Sequence, residues 1–182
     1  MNTPENTNPQ ASKDYPIENR VANAALETFN LEDYYTPGTR AGIDLSQWLF
    51  EGIILREKEF RAAIASHNWA HYQDQQLHLY CSTDAIIPAW AYMLVSTQLS
   101  PYASTLVQGS ATDLESHLYA ATLAQIDWSA YQDKAVIIKG CSQKPVPQNA
   151  YLWATTALQK VAKSLMYGEA CSAVPLFKKP KK

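Results

Sequence analysis

A duplication at a spacing of 59 residues is the feature that most constrains the fold of this chain. The hexapeptide WAHYQD at residues 69–74 recurs as WSAYQD at residues 128–133. Because self-similarity at one fixed spacing marks a repeated structural unit, we infer two copies of one ancestral unit, at about residues 56–110 and 115–169. The same spacing relates further positions: Phe60 and Tyr119, Pro88 and Pro147, Tyr92 and Tyr151, Leu99 and Leu158, Gly109 and Gly168.

The two units have the same expected order of elements. Each starts with an amphipathic helix, in which Phe60, Ala63 and Ile64 share one face in the first unit. The repeated hexapeptide leads into a short strand, and a proline, Pro88 or Pro147, then begins a long apolar helix. A second short strand closes each unit. The expected segments are a helix at 56–66, strands at 77–80, 105–108, 135–138 and 165–167, and helices at 89–99 and 148–161.

Alternating strands and helices favour a parallel sheet with right-handed crossovers. A turn signal at residues 36–39 separates two N-terminal candidate strands, which we expect to form an antiparallel addition at a sheet edge. With 182 residues and 47% hydrophobic residues, the chain has enough apolar material for one core. We therefore predict a single α/β domain at 17–177, mainly a parallel sheet built from two tandem β-α-β-type repeats. A disordered N-terminal tail (1–16) and a basic C-terminal tail (178–182) flank it.

The cysteines follow predicted strands. Cys81 and Cys141 come after the first strand of each unit, and Cys171 comes after the closing strand of the second. The carboxyl ends of parallel strands meet at the sheet edge where α/β proteins bind ligands, so we expect the three thiols to converge in one crevice. Each cysteine precedes a serine: Ser82, Ser142 and Ser172.

Converging thiolates suit zinc or an iron–sulfur cluster. We therefore predict a metal site formed by Cys81, Cys141 and Cys171. Three protein ligands leave one coordination position open, as in catalytic sites, where the ion would act as a Lewis acid on a small oxygen-bearing substrate. The candidates for a fourth ligand, which would close the site, are Asp84, His78 and Glu169. The groups expected around the bound cofactor are Ser82, Ser142, Ser172 and Asp84.

Other interpretations of the same residues stay open. Free cysteines are commonly small buried hydrophobes, and the CxxC spacing of strong metal motifs is missing from the sequence. The thiols would then line a pocket without a metal, take part in redox chemistry, or pack in a non-enzymatic binding or scaffold domain. Lys139 and Lys144 flank Cys141, which favours either an anionic ligand or simply a charged surface. Tyr92 and Tyr151 either reach the crevice or belong to the core.

Charge and hydropathy narrow the expected partners. The formal net charge of -2 provides no basic field for nucleic acid. No apolar run approaches the ~20 residues of a membrane span, and the polar N-terminal segment has no leader-like apolar stretch. We expect a cytoplasmic protein without nucleic-acid or membrane partners. The sequence is compatible with a small-molecule ligand and with a homo-oligomer, and no nucleophile or phosphate-loop motif identifies a reaction.

Several segments carry a resemblance to a known family. They are LEDYYTPGTR, WLFEGIILREKEFR, CSTDAIIPAWAYM, KGCSQKPVP and YGEACSAVPLFKK. Together they resemble an uncharacterised, Bacteroidetes-type bacterial family of unknown function, similar to DUF2480, over about residues 17–179. The resemblance implies an intracellular bacterial protein and brings no established activity. All three Cys-Ser pairs fall inside these segments.

Overall fold

The structure is a computed structural model that describes residues 26–140, 143–169 and 172–180. Its strands are Leu26–Phe29 (β1), Arg40–Asp44 (β2), Gln76–Tyr80 (β3), Thr105–Gln108 (β4), Ala135–Lys139 (β5), Ser164–Gly168 (β6) and Val174–Lys178 (β7). Its α-helices are Glu57–Ser66 (α1), Ala89–Leu99 (α2), Ala111–Leu123 (α3) and Gln148–Val161 (α4). Short 3₁₀ turns lie at Leu31–Tyr34, Leu45–Trp48, Trp69–Tyr72 and Trp128–Tyr131. The α/β class is confirmed, and the expected strands and helices of the two units lie close to their predicted positions.

Within the described residues the strands form two sheets, where the sequence predicted one. The first sheet has the order β2-β3-β4 and is parallel throughout, and the second has the order β1-β5-β6-β7. The expected antiparallel N-terminal addition is wrong, because β1 pairs in parallel with β5 and β2 pairs in parallel with β3. The turn signal does not close a hairpin, since Phe29 of β1 and Ile43 of β2 are buried in different cores. The antiparallel strand is β7, which pairs with β6.

The two N-terminal strands are themselves copies. After each strand a polar residue, Asn30 or Asp44, caps the start of a 3₁₀ turn. Its side chain accepts a hydrogen bond from the backbone N–H two residues later, at Glu32 or Ser46. Each strand also pairs with the equivalent strand of one repeat, because Leu26 lies opposite Ala135 and Arg40 lies opposite Gln76. The duplicated unit is therefore longer than the sequence indicated, and it contains a strand before its first helix. The corresponding apolar positions are Phe29 and Ile43, Leu31 and Leu45, Tyr34 and Trp48.

One unit is inserted into the other. We call residues 40–109 the inner unit, which contains β2, α1, β3, α2 and β4 in an unbroken run. We call residues 26–35 and 110–168 the outer unit, which contains β1 and then, after the insertion, α3, β5, α4 and β6. Because the insertion separates β1 from the rest of its unit, the tandem spacing of the sequence does not extend to β1.

Each unit has its own hydrophobic core between one sheet face and two helices. In the inner core, Phe60 of α1 and Leu99 of α2 pack with the strand residue Leu77. In the outer core, Tyr119 of α3 and Leu158 of α4 take the corresponding places and pack with Val136. The repeated spacing thus records the same packing twice.

Helix α3 joins the two units. It packs against α4 of its own unit and also against β3 and β4 of the inner sheet. An ion pair crosses the same junction, because Arg40 of β2 donates from Nε to Oε1 of Glu115 at 2.8 Å. Both side chains are mostly buried, with 19% and 11% of their surface exposed.

The repeated hexapeptide ends in a residue that requires an unusual backbone conformation. Asp74 and Asp133 have φ values of 60° and 56°, and aspartate is among the few residues that tolerate this left-handed region. Their N–H groups donate to the carbonyls of Tyr102 and Val161, which precede β4 and β6. The motif therefore turns the chain into each central strand and holds it beside the next one.

Candidate functional site

The three cysteines that we predicted to share one crevice follow strands of two different sheets. Cys81 follows β3 of the inner sheet, whereas Cys141 and Cys171 follow β5 and β6 of the outer sheet. Cys141, Ser142 and Cys171 lie outside the described residues, so the convergence of the three thiols stays a prediction. Among the residues that the structure describes, no group of three or more His, Cys, Asp or Glu side chains is arranged to hold a metal ion.

At the inner edge, Asp44 fixes the loop that carries Cys81. Its Oδ1 atom accepts the N–H groups of Ser46 at 2.9 Å and Ser82 at 3.1 Å. Burial opposes ionisation of Asp44, but the hydrogen bonds from Ser82 and Ser46 outweigh it and hold the pKa below its usual range. The Sγ atom of Cys81 is 3.4 Å from Oγ1 of Thr83. Ser82 therefore has a structural role in positioning this loop.

The other predicted groups are dispersed. Asp84 lines a cleft at the inner edge, and the backbone N–H of Ser172 donates to the carbonyl of Glu169 at 2.9 Å. The ring of His78 stacks on Tyr80 at 5.3 Å, and a side chain at Gly42 would collide with it. His78 thus lies on the strand among its own sheet neighbours.

At the outer edge, β5 and β6 end side by side. Lys139, the last residue of β5, pairs with Gly168, the last residue of β6. The backbones stay close beyond the strands, because a Cβ atom on Gly140 would be 3.1 Å from the Cα atom of Gly168. The next residue, Glu169, has a buried Oε1 atom for which the described part of the chain provides no hydrogen-bond partner. The residues next to Cys141 and Cys171 along the chain therefore meet at one edge.

Glu32 fixes the loop that follows Cys141, as Asp44 does at the inner edge. Its Oε1 atom accepts the N–H group of Lys144 at 2.7 Å and also that of Gln143. Its Oε2 atom is 3.9 Å from Nζ of Lys139. The outer unit therefore uses a carboxylate two residues further along the repeat for the same task, since Asp44 corresponds to Asn30.

Two clefts occupy corresponding places in the two units. Each lies between the first turn of one helix and the loop that leads into the next, α1 and α2 in the inner unit and α3 and α4 in the outer unit. The inner cleft, of about 610 Å³, is lined by Ile53, Ile54, Asp84 and Ile86 among others. The outer cleft, of about 380 Å³, is lined by Tyr35, Arg40, Ala111, Thr112, Glu115, Pro145, Val146 and Pro147.

The outer cleft is rich in charge. Besides its pairing with Glu115, the guanidinium group of Arg40 donates to the carbonyls of Thr36 at 2.7 Å and Gly38 at 2.8 Å. It also lies 4.4 Å from the centre of the Tyr35 ring, and the ammonium group of Lys144 lies 4.8 Å from the same centre. Two cations therefore approach one aromatic ring at the wall of this cleft.

Tyr119 is a polar residue in the outer core that the sequence reasoning treated only as a repeat partner of Phe60. Its side chain is 1% exposed, and its hydroxyl has no hydrogen-bond partner among residues 26–140, 143–169 and 172–180. Burial raises the pKa of Tyr119 to about 12, and the nearby Glu115, Glu32, Tyr151 and Tyr35 contribute. The one available signal was the replacement of Phe by Tyr at a repeated apolar position.

The fold and its clefts define a class: an α/β protein of two nested copies of one unit, with pockets where the strands end. A family described as a protein of unknown function (DUF2480) matches residues 15–179, and the chain belongs to that family. The resemblance to a family of unknown function is thereby confirmed, and the bacterial origin stays a prediction. No curated protein and no solved structure matches the chain. In the described residues, every helix is too short or too polar to cross a membrane.

Proposed function

We propose that the protein binds a thiophilic metal ion, zinc being the one we expect, through Cys141 and Cys171 at the edge where β5 and β6 end. This site uses two of the three cysteines predicted from the sequence as ligands, because Cys81 belongs to the other sheet. Two thiolates with a carboxylate suit zinc better than an iron–sulfur cluster, which is usually held by cysteines alone.

The observation that carries the proposal is the Oε1 atom of Glu169. It is buried, and no described residue donates a hydrogen bond to it. A buried carboxylate oxygen without a partner is costly, and a bound cation removes that cost. Glu169 lies two residues before Cys171, and glutamate oxygen is an accepted zinc ligand.

The backbone geometry supports a shared site. Gly140 directly precedes Cys141, and its contact with Gly168 draws the two strand ends together. The phenol of Tyr167 donates to the carbonyl of Gly140 at 3.4 Å, which adds a second link across the same edge. Cys141 directly follows Gly140, and Cys171 comes three residues after Gly168. Both thiolates therefore need only a short stretch of chain to reach one ion.

Three protein ligands leave one coordination position for water or a substrate oxygen. That arrangement is typical of catalytic zinc, in which the ion polarises a carbonyl or lowers the pKa of bound water. The reaction we expect is therefore of the hydrolytic or Lewis-acid class.

The test is metal analysis of the purified full chain. Competition with a chelator whose absorbance changes when it binds zinc then measures the zinc affinity of the protein. We expect about one zinc ion per chain, and loss of that zinc in Cys141→Ser and in Cys171→Ser. Glu169→Gln keeps the size of the side chain and weakens zinc binding at least about tenfold, because a ligand is lost. Circular dichroism checks that each variant is folded.

Cys81→Ser is the matched control, since Cys81 occupies the corresponding place in the inner unit. Full zinc content in this variant supports the two-cysteine site, and loss of zinc contradicts it in favour of a three-cysteine site. A metal-free wild-type protein whose cysteines are freely alkylated, or one with Cys141 and Cys171 joined in a disulfide, overturns the proposal.

A further inference from the structure

We propose that residues 15–20 of this chain bind as an added antiparallel strand along the free side of β4. β4 is the last strand of the inner sheet, because among the described residues it pairs with β3 alone. Its counterpart β6 carries β7 on the corresponding side, so the outer sheet has one strand more than the inner sheet. The proposed contact uses no cysteine and no metal, and it is independent of the zinc site.

The free side of β4 leaves a core leucine half-covered. Leu106 of β4 and Leu165 of β6 are equivalent in the repeat, and Leu165 is fully buried opposite Phe177 of β7. Phe177 also packs against the outer core. Leu106, in contrast, is only partly buried. An apolar side chain in the place that Phe177 takes in the outer unit would bury the rest of Leu106, and the hydrophobic effect favours that burial.

A cavity of about 210 Å³ lies beside Leu106. Tyr92 and Met93 of α2 line it together with Leu106 and Gln108 of β4. Strands that bind along the side of a sheet gain affinity from backbone hydrogen bonds, and pockets that receive alternate side chains give specificity. The free side of β4 thus has a pocket for one apolar side chain of an added strand.

The inner unit also keeps the carboxylate that anchors β7 in the outer unit. Nζ of Lys179, the residue after β7, is 3.1 Å from Oδ1 of Asp133. Asp74 is the repeat equivalent of Asp133, and each accepts a hydrogen bond from the preceding glutamine, Gln73 or Gln132. In the described part of the chain no lysine or arginine pairs with Asp74. A basic residue in the added strand would complete this anchor and fix the register of the strand.

The N-terminal segment resembles β7 in sequence. Residues 15–20 are YPIENR, and residues 174–179 are VPLFKK. Both have a proline between two apolar residues, and both end in a basic residue. Proline is tolerated in strands at the border of a sheet, which is the place of β7 and of the proposed strand.

The spacing of the segment fits the free side of β4. Tyr15 and Ile17 are two residues apart, so they share one face of a strand. With Ile17 opposite Leu106, an antiparallel register brings Tyr15 opposite Gln108 at the same cavity. Arg20 then follows at the end of the strand where Asp74 lies. It is one residue beyond the place of Lys179, and its long side chain compensates for that difference.

The chain is long enough for this contact. Nine residues separate Ile17 from Leu26, the first residue of β1. Fully extended, they span about 30 Å, which is roughly the diameter of a small domain. The family match begins at residue 15, so the segment belongs to the part of the chain that the family shares.

Nuclear magnetic resonance of the isotope-labelled full chain tests the contact. We expect cross-peaks between the methyl groups of Ile17 and Leu106, and amide exchange at residues 15–20 slowed at least about tenfold relative to an unfolded chain. Ile17→Asp should abolish both signals, because a carboxylate is costly in an apolar cavity. Arg20→Ala should reduce the protection at most about fivefold, as expected for an exposed ion pair.

Val21→Asp is the matched control, since it adds the same charge just outside the proposed strand. It should keep the cross-peaks and the slow exchange. Missing cross-peaks, fast exchange at residues 15–20, or equal effects of Ile17→Asp and Val21→Asp overturn the inference. Cross-peaks between labelled and unlabelled chains in a mixed sample would assign the strand to a second copy and overturn it as well.

The zinc proposal is tested separately. Cys141→Ser removes a proposed zinc ligand and should keep the contact between Ile17 and Leu106. Ile17→Asp should in turn keep the zinc content of the wild type. Failure of one proposal is therefore distinguishable from failure of the other.

Discussion

The inner and outer units have one architecture and two kinds of cleft. Their cores match position by position, with Leu99 and Leu158 both fully buried. Their clefts differ, because the inner one is surrounded by exposed isoleucines, whereas the outer one contains a charged pair. In the inner unit the residues from the 3₁₀ turn to α1 are continuous, and they supply Ile53 and Ile54. In the outer unit that connection is broken by the insertion, which brings Arg40 to the cleft instead.

The two copies therefore keep the residues that the core requires, whereas their strand-end loops have diverged. Buried apolar positions tolerate little change in volume, so both copies keep them. Loops at the carboxyl ends of strands have fewer packing constraints and carry binding groups.

Truncation in either core should cost most and should destabilise both units together. Leu99→Ala and Leu158→Ala are matched by the repeat, and each should lower the free energy of unfolding by about 2–5 kcal/mol. Because α3 packs on both units, unfolding should remain one transition. Urea unfolding followed by tryptophan fluorescence and by circular dichroism provides the measurement. Two separate transitions would show that the units are independent.

Breaking the ion pair between the units should have the next largest effect. Arg40→Ala leaves the Glu115 carboxylate mostly buried without its partner, which should cost about 3 kcal/mol. Arg40→Ala combined with Glu115→Ala should cost less than the sum of the two single changes, because neither charge is then left alone. Denaturation of all three variants gives the coupling energy. Additive costs would exclude a role for this pair in joining the units.

Exchanging the aromatic residues at the matched core position should affect stability differently in the two units. Phe60→Tyr introduces a buried hydroxyl into the inner core and should destabilise the protein by about 1–3 kcal/mol. Tyr119→Phe removes one from the outer core and should leave the protein equally or slightly more stable. Thermal unfolding of both variants checks the pair. A large loss in Tyr119→Phe would mean that the hydroxyl has a structural partner.

The smallest effect concerns the N-cap before Leu45. The pKa of Asp44 is lowered in the fold, so its ionised form contributes stability above its unfolded pKa, and that contribution is lost as pH falls through the folded pKa. Asp44→Asn keeps the acceptor oxygen that Asn30 provides in the outer unit, and should cost less than about 1 kcal/mol at neutral pH. As the pH falls below about 4, the difference from wild type should shrink. A difference that grows on acidification contradicts this assignment.

Much of the fold follows from local patterns in the sequence. The spacing between residues 69–74 and 128–133, the prolines before α2 and α4, and the apolar periodicity locate the helices and strands of both units. These features are readable because capping, turn chemistry and amphipathic spacing act over a few residues. The site is less predictable: the sequence selected the cysteines, but it overlooked Arg40, Glu115 and Tyr119.

Those three residues come from segments that are distant in the chain. Arg40 meets Glu115 only because α3 crosses to the inner sheet, and Tyr119 differs from Phe60 by one atom in an otherwise apolar pattern. A single sequence contains no local signal for a contact made by the packing of one unit on another.

The sequence by itself determined the repeated unit, the α/β class, the order of strands and helices, and the strand ends at which the cysteines lie. Only the tertiary structure decided that the strands divide into two sheets and that β1 and β2 each join a different copy in parallel. Secondary structure depends on local spacing, whereas strand partners depend on which apolar faces can be buried together across long separations. Phe29 and Ile43 are close in the chain and look equivalent, yet each is buried in a separate core.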